Sequence, residues 1–216
     1  MDLLLRTKSQ REDYSSFEEF SQDCKEVASR WATKRLKEND VIYIDLETTG
    51  LPSGEYVPGI CQLSILNWKG QPLFSALLDP EEVMKERVSN IHKIYNEDVL
   101  DSPKMSEIAS IIAKLVDKKT IIAYNAAFDI KILTHHLRSN LKGWSPNFLP
   151  ECLMLYYSAW IGSWSTRKKD FKWQKLPKLG TGQAHDALVD AQSAIELMKI
   201  MAYGKEQQTE TIDLNF

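Results

Sequence analysis

Long hydrophobic runs are missing from this 216-residue sequence, and no stretch is apolar enough over enough residues to span a membrane. Leu3–Leu5 is too short for the core of a secretory signal, and Arg6, Lys8 and Arg11 follow at once. Cysteine is scarce. Cys24, Cys61 and Cys152 are odd in number and lack metal-ligand spacing, which argues against a cysteine-held metal and fits free thiols in a reducing cytoplasm. An excess of positive charge is missing too: the net charge is −3, so there is no global basic signal. No internal repeat is visible. What remains is 43% hydrophobic and 26% charged, enough for one ordinary globular domain with a full core. The expectation is a soluble cytoplasmic protein that makes no use of a membrane.

Against that plain background, four acids and one histidine stand out. Asp45 and Glu47 lie in VIYIDLETTG, Asp129 in IIAYNAAFDI, and His185 and Asp190 in AHDALVDA. Residues 41–48 read as a buried strand from the β-branched, apolar bias of Val41, Ile42, Tyr43, Ile44 and Leu46. Residues two apart on a strand share a face, so Asp45 and Glu47 point the same way, about 6–7 Å apart at the base. Residues 126–137 read as a helix, with Asp129 on the apolar face of Ala126, Ile130, Leu133 and Leu137. Asp190 sits likewise on the stripe of Ala187, Leu188, Ala191, Ala194, Ile195 and Met198. Each helix thus aims a carboxylate at the sheet. On one continuous helix His185 would be turned about 140° from Asp190, so it is placed on the loop just ahead.

Burying an unpaired carboxylate costs several kcal/mol, roughly, and crowding four together adds repulsion. Either some acids keep their protons or divalent cations fill the cluster. All-oxygen ligands suit Mg²⁺ or Mn²⁺, and two ions sharing a carboxylate would make a phosphoryl-transfer site. His185, titrating near neutrality when unperturbed, is placed to take a proton from water.

With IDLETTG, NAAFD and the H-x4-D of AHDALVDA in place, the chain resembles the DEDDh exonucleases, the DnaQ-like group of bacterial proofreading subunits. QLSILNWKGQPL and IHKIYNEDV add weaker matches, and the resemblance covers about residues 39–203. It implies an α/β, ribonuclease H-like fold, with a central mixed sheet of about five strands flanked by helices. It also implies 3′→5′ removal of nucleotides by two-metal hydrolysis. Carried over by motif, Asp45, Glu47 and Asp190 would hold the first ion, Asp45 would bridge to the second, and Asp129 would support that one. His185 would be the general base. Thr48, Ile91 and His92 match positions that cradle the terminal nucleotide, and Asn125 and Phe128 match the loop around the third acid. Bound cations would also supply the positive charge that the composition lacks. The chain departs from many relatives at Lys93, where they have glycine, at Tyr95, where they have threonine, and at Tyr124, where they have histidine.

The rest divides into an N-terminal helical extension (1–38), the exonuclease domain (39–203) and a tail (204–216). Ser16 and Glu19 have capping-box spacing, and Phe17, Phe20, Cys24, Val27, Ala28 and Trp31 mark a face that should dock on the domain. Strands are predicted over 60–68 and 72–78 with a turn at Lys69-Gly70. A helix should be opened by Ser102 and Pro103 and run to about Val116, a short strand should cover 121–124, and a helix should cover 152–162 before irregular chain.

Between Ser165 and Lys178 lie Arg167, Lys168, Lys169, Lys172, Lys175 and Lys178 against Asp170, interleaved with Phe171 and Trp173. Such a stretch can track phosphates and stack bases, or it can be a solvated loop held by its aromatics. Lys168 and Lys169 are the candidate strand-binding pair. The ending Thr211–Phe216 resembles peptides that dock on the bacterial sliding clamp. The expected substrates are single-stranded 3′ ends, DNA before RNA, in a proofreading or repair setting. An exoribonuclease uses the same five residues, and a non-cleaving nucleic-acid-binding or clamp-tethered accessory protein is the alternative of another class.

Overall fold

The computed structural model describes residues 11–179, 182 and 185–204. The sliding-clamp peptide Thr211–Phe216, and Gly180 and Thr181 ahead of His185, lie outside them. In chain order the elements are α1 (Phe17–Arg35), β1 (Val41–Thr48), β2 (Ile60–Asn67), β3 (Pro72–Leu77), α2 (Glu86–His92), α3 (Met105–Val116), β4 (Thr120–Ala123), α4 (Ala126–Asn140), β5 (Leu149–Cys152), α5 (Leu153–Ile161), a two-stranded hairpin β6 (Trp164–Ser165) and β7 (Asp170–Phe171), and α6 (Ala187–Tyr203). Short 3₁₀ turns cover Arg11–Asp13 and Asn96–Val99.

The main sheet has five strands in the order β3-β2-β1-β4-β5. β1 pairs antiparallel with β2 and parallel with β4, and β4 pairs parallel with β5. Strand alternation sorts β1 between two cores. Val41 and Tyr43 face a layer built from α1, α5 and α6. Ile42, Ile44 and Leu46 face α3 and α4. The period of two therefore carries Asp45 and Glu47 onto the α6 side of the sheet. β1 is apolar on both faces because both are covered, as a central strand of a three-layer domain requires.

α1 belongs to the same core. Phe20, Cys24, Val27, Ala28, Trp31 and Ala32 are buried, and Phe17 is half-buried. Ser16 caps the helix, its hydroxyl accepting from the Glu19 amide at 3.1 Å. The Glu19 carboxylate returns to the Ser15 amide, one residue earlier than a capping box requires. Trp31 Nε1 and Arg35 Nε both donate to Glu151 Oε2, each at 2.7 Å, joining α1 to edge strand β5.

The structure differs from the sequence expectations at four places. α3 begins at Met105 with Lys104 as cap, because Pro103 and Lys104 are held extended: Pro103 O accepts from the Asp79 amide and Lys104 bridges Asp79. Cys152, expected in a helix, ends β5, and α5 starts at Leu153. The chain after α5 is not irregular but folds into the β6–β7 hairpin, with Lys169 in the left-handed region at its turn (φ 49°). α2 was not expected at all, and its left-handed C-cap is Lys93 (φ 61°).

Tyr43 gives one test of the core. Its side chain is fully buried, and among the described residues its hydroxyl has no hydrogen-bond partner. A buried polar group left unsatisfied costs about 1–3 kcal/mol. Tyr43→Phe is expected to raise the unfolding free energy by about 1 kcal/mol in urea titration. A loss of stability would mean that the hydroxyl is satisfied after all.

Candidate active site

The carboxyl ends of the parallel strands β1 and β4 meet the N-termini of α4 and α6 at one end of the sheet. This is where open α/β sheets bind ligands. Asp45 is half-buried on β1, Glu47 is buried at 9% exposure, and a register shift at Glu47/Thr48 turns the strand away immediately afterwards. Asp129, in the first turn of α4, is 4% exposed. Asp190, in the first turn of α6, is half-buried. His185 is exposed, in a left-handed conformation (φ 62°), on the loop ahead of α6 as its spacing predicts. Its backbone amide donates to Asp190 Oδ2 at 3.2 Å. Glu47, His185 and Asp190 can each offer a ligand atom, all within 4.8 Å of one another.

The electrostatics match that crowding. Burial pushes the Asp45 carboxyl well above the ordinary carboxylate range, and Asp129, Glu47, Asp190 and Asp186 push it further. Burial, followed by Asp190 and Asp129, lifts Glu47 to about 8. Burial lifts Asp129 to about 7, although its own amide and that of Leu46 oppose the rise. Burial raises Asp190 too, against the pull of His185. Hard oxygen donors that cannot all ionise at neutral pH without added positive charge fit a divalent cation.

Three residues went unnoticed in the sequence. Asp186 caps α6, accepting from the Leu188 amide at 2.9 Å, and adds a fifth carboxyl group beside the four. The acid-then-apolar-run signature of an N-cap marks it, once the helix is placed. Gln62, opposite Glu47 in the β1–β2 register, accepts from the Ala187 amide at 2.9 Å and fixes the start of α6 against the sheet. Glu82 was missed as well. It accepts from Tyr56 at 2.9 Å, from the Gly59 amide at 2.7 Å and from Thr49, tying down the loop that leaves β1. These hydrogen bonds hold its carboxyl below the usual range despite burial.

The other expected contact residues are not all alike. Thr48 is buried, its hydroxyl donating to Gly50 O. His92 is buried at 4% exposure, and its Nδ1 accepts from the Ile94 amide at 3.0 Å. Burial keeps its imidazole below the usual range, with the Thr48 carbonyl opposing and His185 assisting. His92 is thus buried against Thr48, while Ile91 beside it is 54% exposed. Asn125 is exposed and Phe128 half-buried at the start of α4. Lys168 and Lys169 are exposed on the β6–β7 hairpin and are not part of the acid cluster.

The sequence matches the RNase_T exonuclease family over residues 42–198. The chain belongs to that family. As a DnaQ-like member with a ribonuclease H-like fold, the protein is an exonuclease. It is 28% identical over 185 residues to an uncharacterized exonuclease, CP81, of Escherichia phage 186, covering 79% of this chain and 92% of the phage protein. It is 31% identical over 181 residues to the DNA polymerase III subunit epsilon of Rickettsia typhi, covering 80% and 78%. Among solved structures, E. coli exonuclease I in complex with a dT13 oligonucleotide superimposes with a TM-score of 0.60 at 18% identity. That likeness of fold covers 76% of this chain and only 41% of the much longer exonuclease I. Among the described residues, no helix of this RNase_T exonuclease is long and apolar enough to cross a membrane.

Proposed function

We propose that the protein is a 3′→5′ exonuclease acting on single-stranded 3′ ends, DNA in preference to RNA, with Asp45, Glu47, Asp129, His185 and Asp190 as its catalytic set. The observation that carries this reading is the convergence of four carboxylates, from β1, α4 and α6, whose protons are held abnormally tightly. Two ions, Mg²⁺ or Mn²⁺, held by Asp45, Glu47, Asp129 and Asp190, would supply the positive charge and Lewis acidity that phosphodiester hydrolysis needs.

The chain's own residues do the remaining work. His185, exposed on its loop and within reach of Glu47 and Asp190, takes the proton from the attacking water. The His185 amide orients Asp190, so base and carboxylate keep a fixed relation. Gln62 and Asp186 lock the first turn of α6 that carries Asp190. Ile91, Thr48, Asn125 and Phe128 receive the terminal nucleotide, with His92 holding Thr48 from behind. Lys168 and Lys169 lie farther out and attract the strand.

The test uses 5′-labelled single strands of DNA and RNA with matched sequence, incubated with Mg²⁺ or Mn²⁺. A ladder shrinking from the 3′ end is expected, faster on DNA. Faster RNA trimming would favour the exoribonuclease reading instead. No cleavage of either strand would leave a binding role for the same groove.

A further inference from the structure

The β6–β7 segment splits its aromatic residues between two jobs. Phe171 is 4% exposed and stacks on Phe20 of α1 at 5.8 Å between ring centres, with Trp164 edge-on to Phe171 at 5.1 Å. These rings anchor the hairpin. Trp173 does the opposite: it is 66% exposed, and Lys168 Nζ lies 5.7 Å from the centre of its ring. Around it, Ser165, Lys168, Asp170, Phe171, Lys172 and Trp173 line an open concavity of about 580 Å³. Arg167, Lys168, Lys169, Lys172, Lys175 and Lys178 are all exposed, and Asp170 is the one acid among them.

The mount under Trp173 is firm. Its neighbour Lys172 donates its amide to Ser163 O at 2.7 Å. On its other side the Gln174 amide donates to Ser158 Oγ at 3.3 Å, and Gln174 O accepts from the Tyr124 hydroxyl at 2.8 Å. Tyr124 follows β4 and directly precedes Asn125, the cap of α4 one turn before Asp129. Beyond Gln174 the chain runs to Leu179, which is fastened by its amide and carbonyl to Ser193 of α6. The segment that carries the tryptophan is thus tied to the chain leading into α4 and, through Leu179, to α6. A large apolar ring left in water, on a firm base and with cations around it, suits the stacking of a base.

We propose that Trp173, flanked by Lys168 and Lys172, stacks a base of the single strand upstream of the 3′ nucleotide, while the lysines neutralise its phosphates. This rests on the exonuclease reading of the acid cluster and extends it by giving the strand a path out of the site. The platform makes affinity depend on strand length: a strand of about four nucleotides fills the site alone, and one of about twelve reaches the ring as well.

The experiment measures binding by fluorescence anisotropy of 5′-fluorescein oligo(dT), about four and about twelve nucleotides long, in Ca²⁺, together with hydrolysis of both in Mn²⁺. In the native protein the longer strand should bind the tighter. In Trp173→Ala that length-dependent gain should shrink about tenfold, in the range of one lost base–aromatic stack. In Lys168→Gln/Lys172→Gln the salt dependence of long-strand binding should weaken by roughly one contact or more. Trp173 is solvent-facing, and a thermal melt by circular dichroism confirms that the variant is folded. A length gain that survives in Trp173→Ala, or one that is absent from the native protein, overturns the platform. A native length gain lost in Trp173→Ala, without hydrolysis of either strand, supports the platform and defeats the catalytic reading.

Discussion

Asp45→Asn is expected to remove hydrolysis and stabilise the protein at once. Asn keeps the shape of the side chain but loses the charge that four other carboxylates surround. A divalent site deprived of its central acid loses several kcal/mol of transition-state stabilisation, and each 1.36 kcal/mol is tenfold in rate. The turnover of labelled strands should therefore fall at least about a thousandfold. In chelator near pH 8, the same variant should melt above the native protein, because the group removed is one whose ionisation the fold resists. Retained activity would show that the site has been misassigned. Lost activity with lost stability would show Asp45 to be structural.

The second large effect is a pH dependence of stability that metal reverses. Glu47 and Asp129 have folded-state pKa values raised to about 8 and about 7 from ordinary values of 4.5 and 3.8. For a raised pKa the contribution to stability is fully present below the unfolded value and is lost as pH rises through the folded one. Across that window the folded chain holds more protons than the unfolded chain, so stability falls with rising pH by about 1.4 kcal/mol per unit for each retained proton. In chelator, the melting temperature should drop by roughly 10–20 °C between about pH 5.5 and about pH 8. Saturating Mg²⁺ or Mn²⁺ should abolish most of the drop, because cations take the place of the protons. Differential scanning calorimetry at the two pH values, with and without metal, reads both effects. A flat profile in chelator would mean that the carboxylates are neutralised from within the chain.

The sequence was most legible where one local rule acted alone. β1 was readable to its bounds because every residue from Val41 to Leu46 but one is apolar, and its period of two placed Asp45 and Glu47 together. Helical spacing did the same for Asp129 and Asp190. Less legible were elements whose cause lies far away in sequence. β5 reads Leu-Pro-Glu-Cys, a poor strand by composition, and exists because β4 offers it an edge and α1 holds Glu151. The β6–β7 hairpin has two residues per strand, too few for any period, and is pinned by Phe20, about 150 residues earlier in the chain. Gln62 gave no sign either, since its role depends on a register between strands and a helix start that only the fold brings together.

The four carboxylates are carried by backbones of unequal firmness. Asp45 and Glu47 ride on a strand bonded to neighbours on both sides at its base, whereas Asp129 and Asp190 occupy first helical turns, their amides reaching back to Asn125 O at 3.4 Å and Asp186 O at 2.9 Å. Protein structures open piecemeal, and helix ends open before central strands. At the start of α6 the Gln62 and Asp186 bonds hold that turn, and their loss would release Asp190 and His185 together and leave the sheet intact. On the proposed assignment, warming is expected to disarm half the site reversibly before the molecule as a whole comes apart.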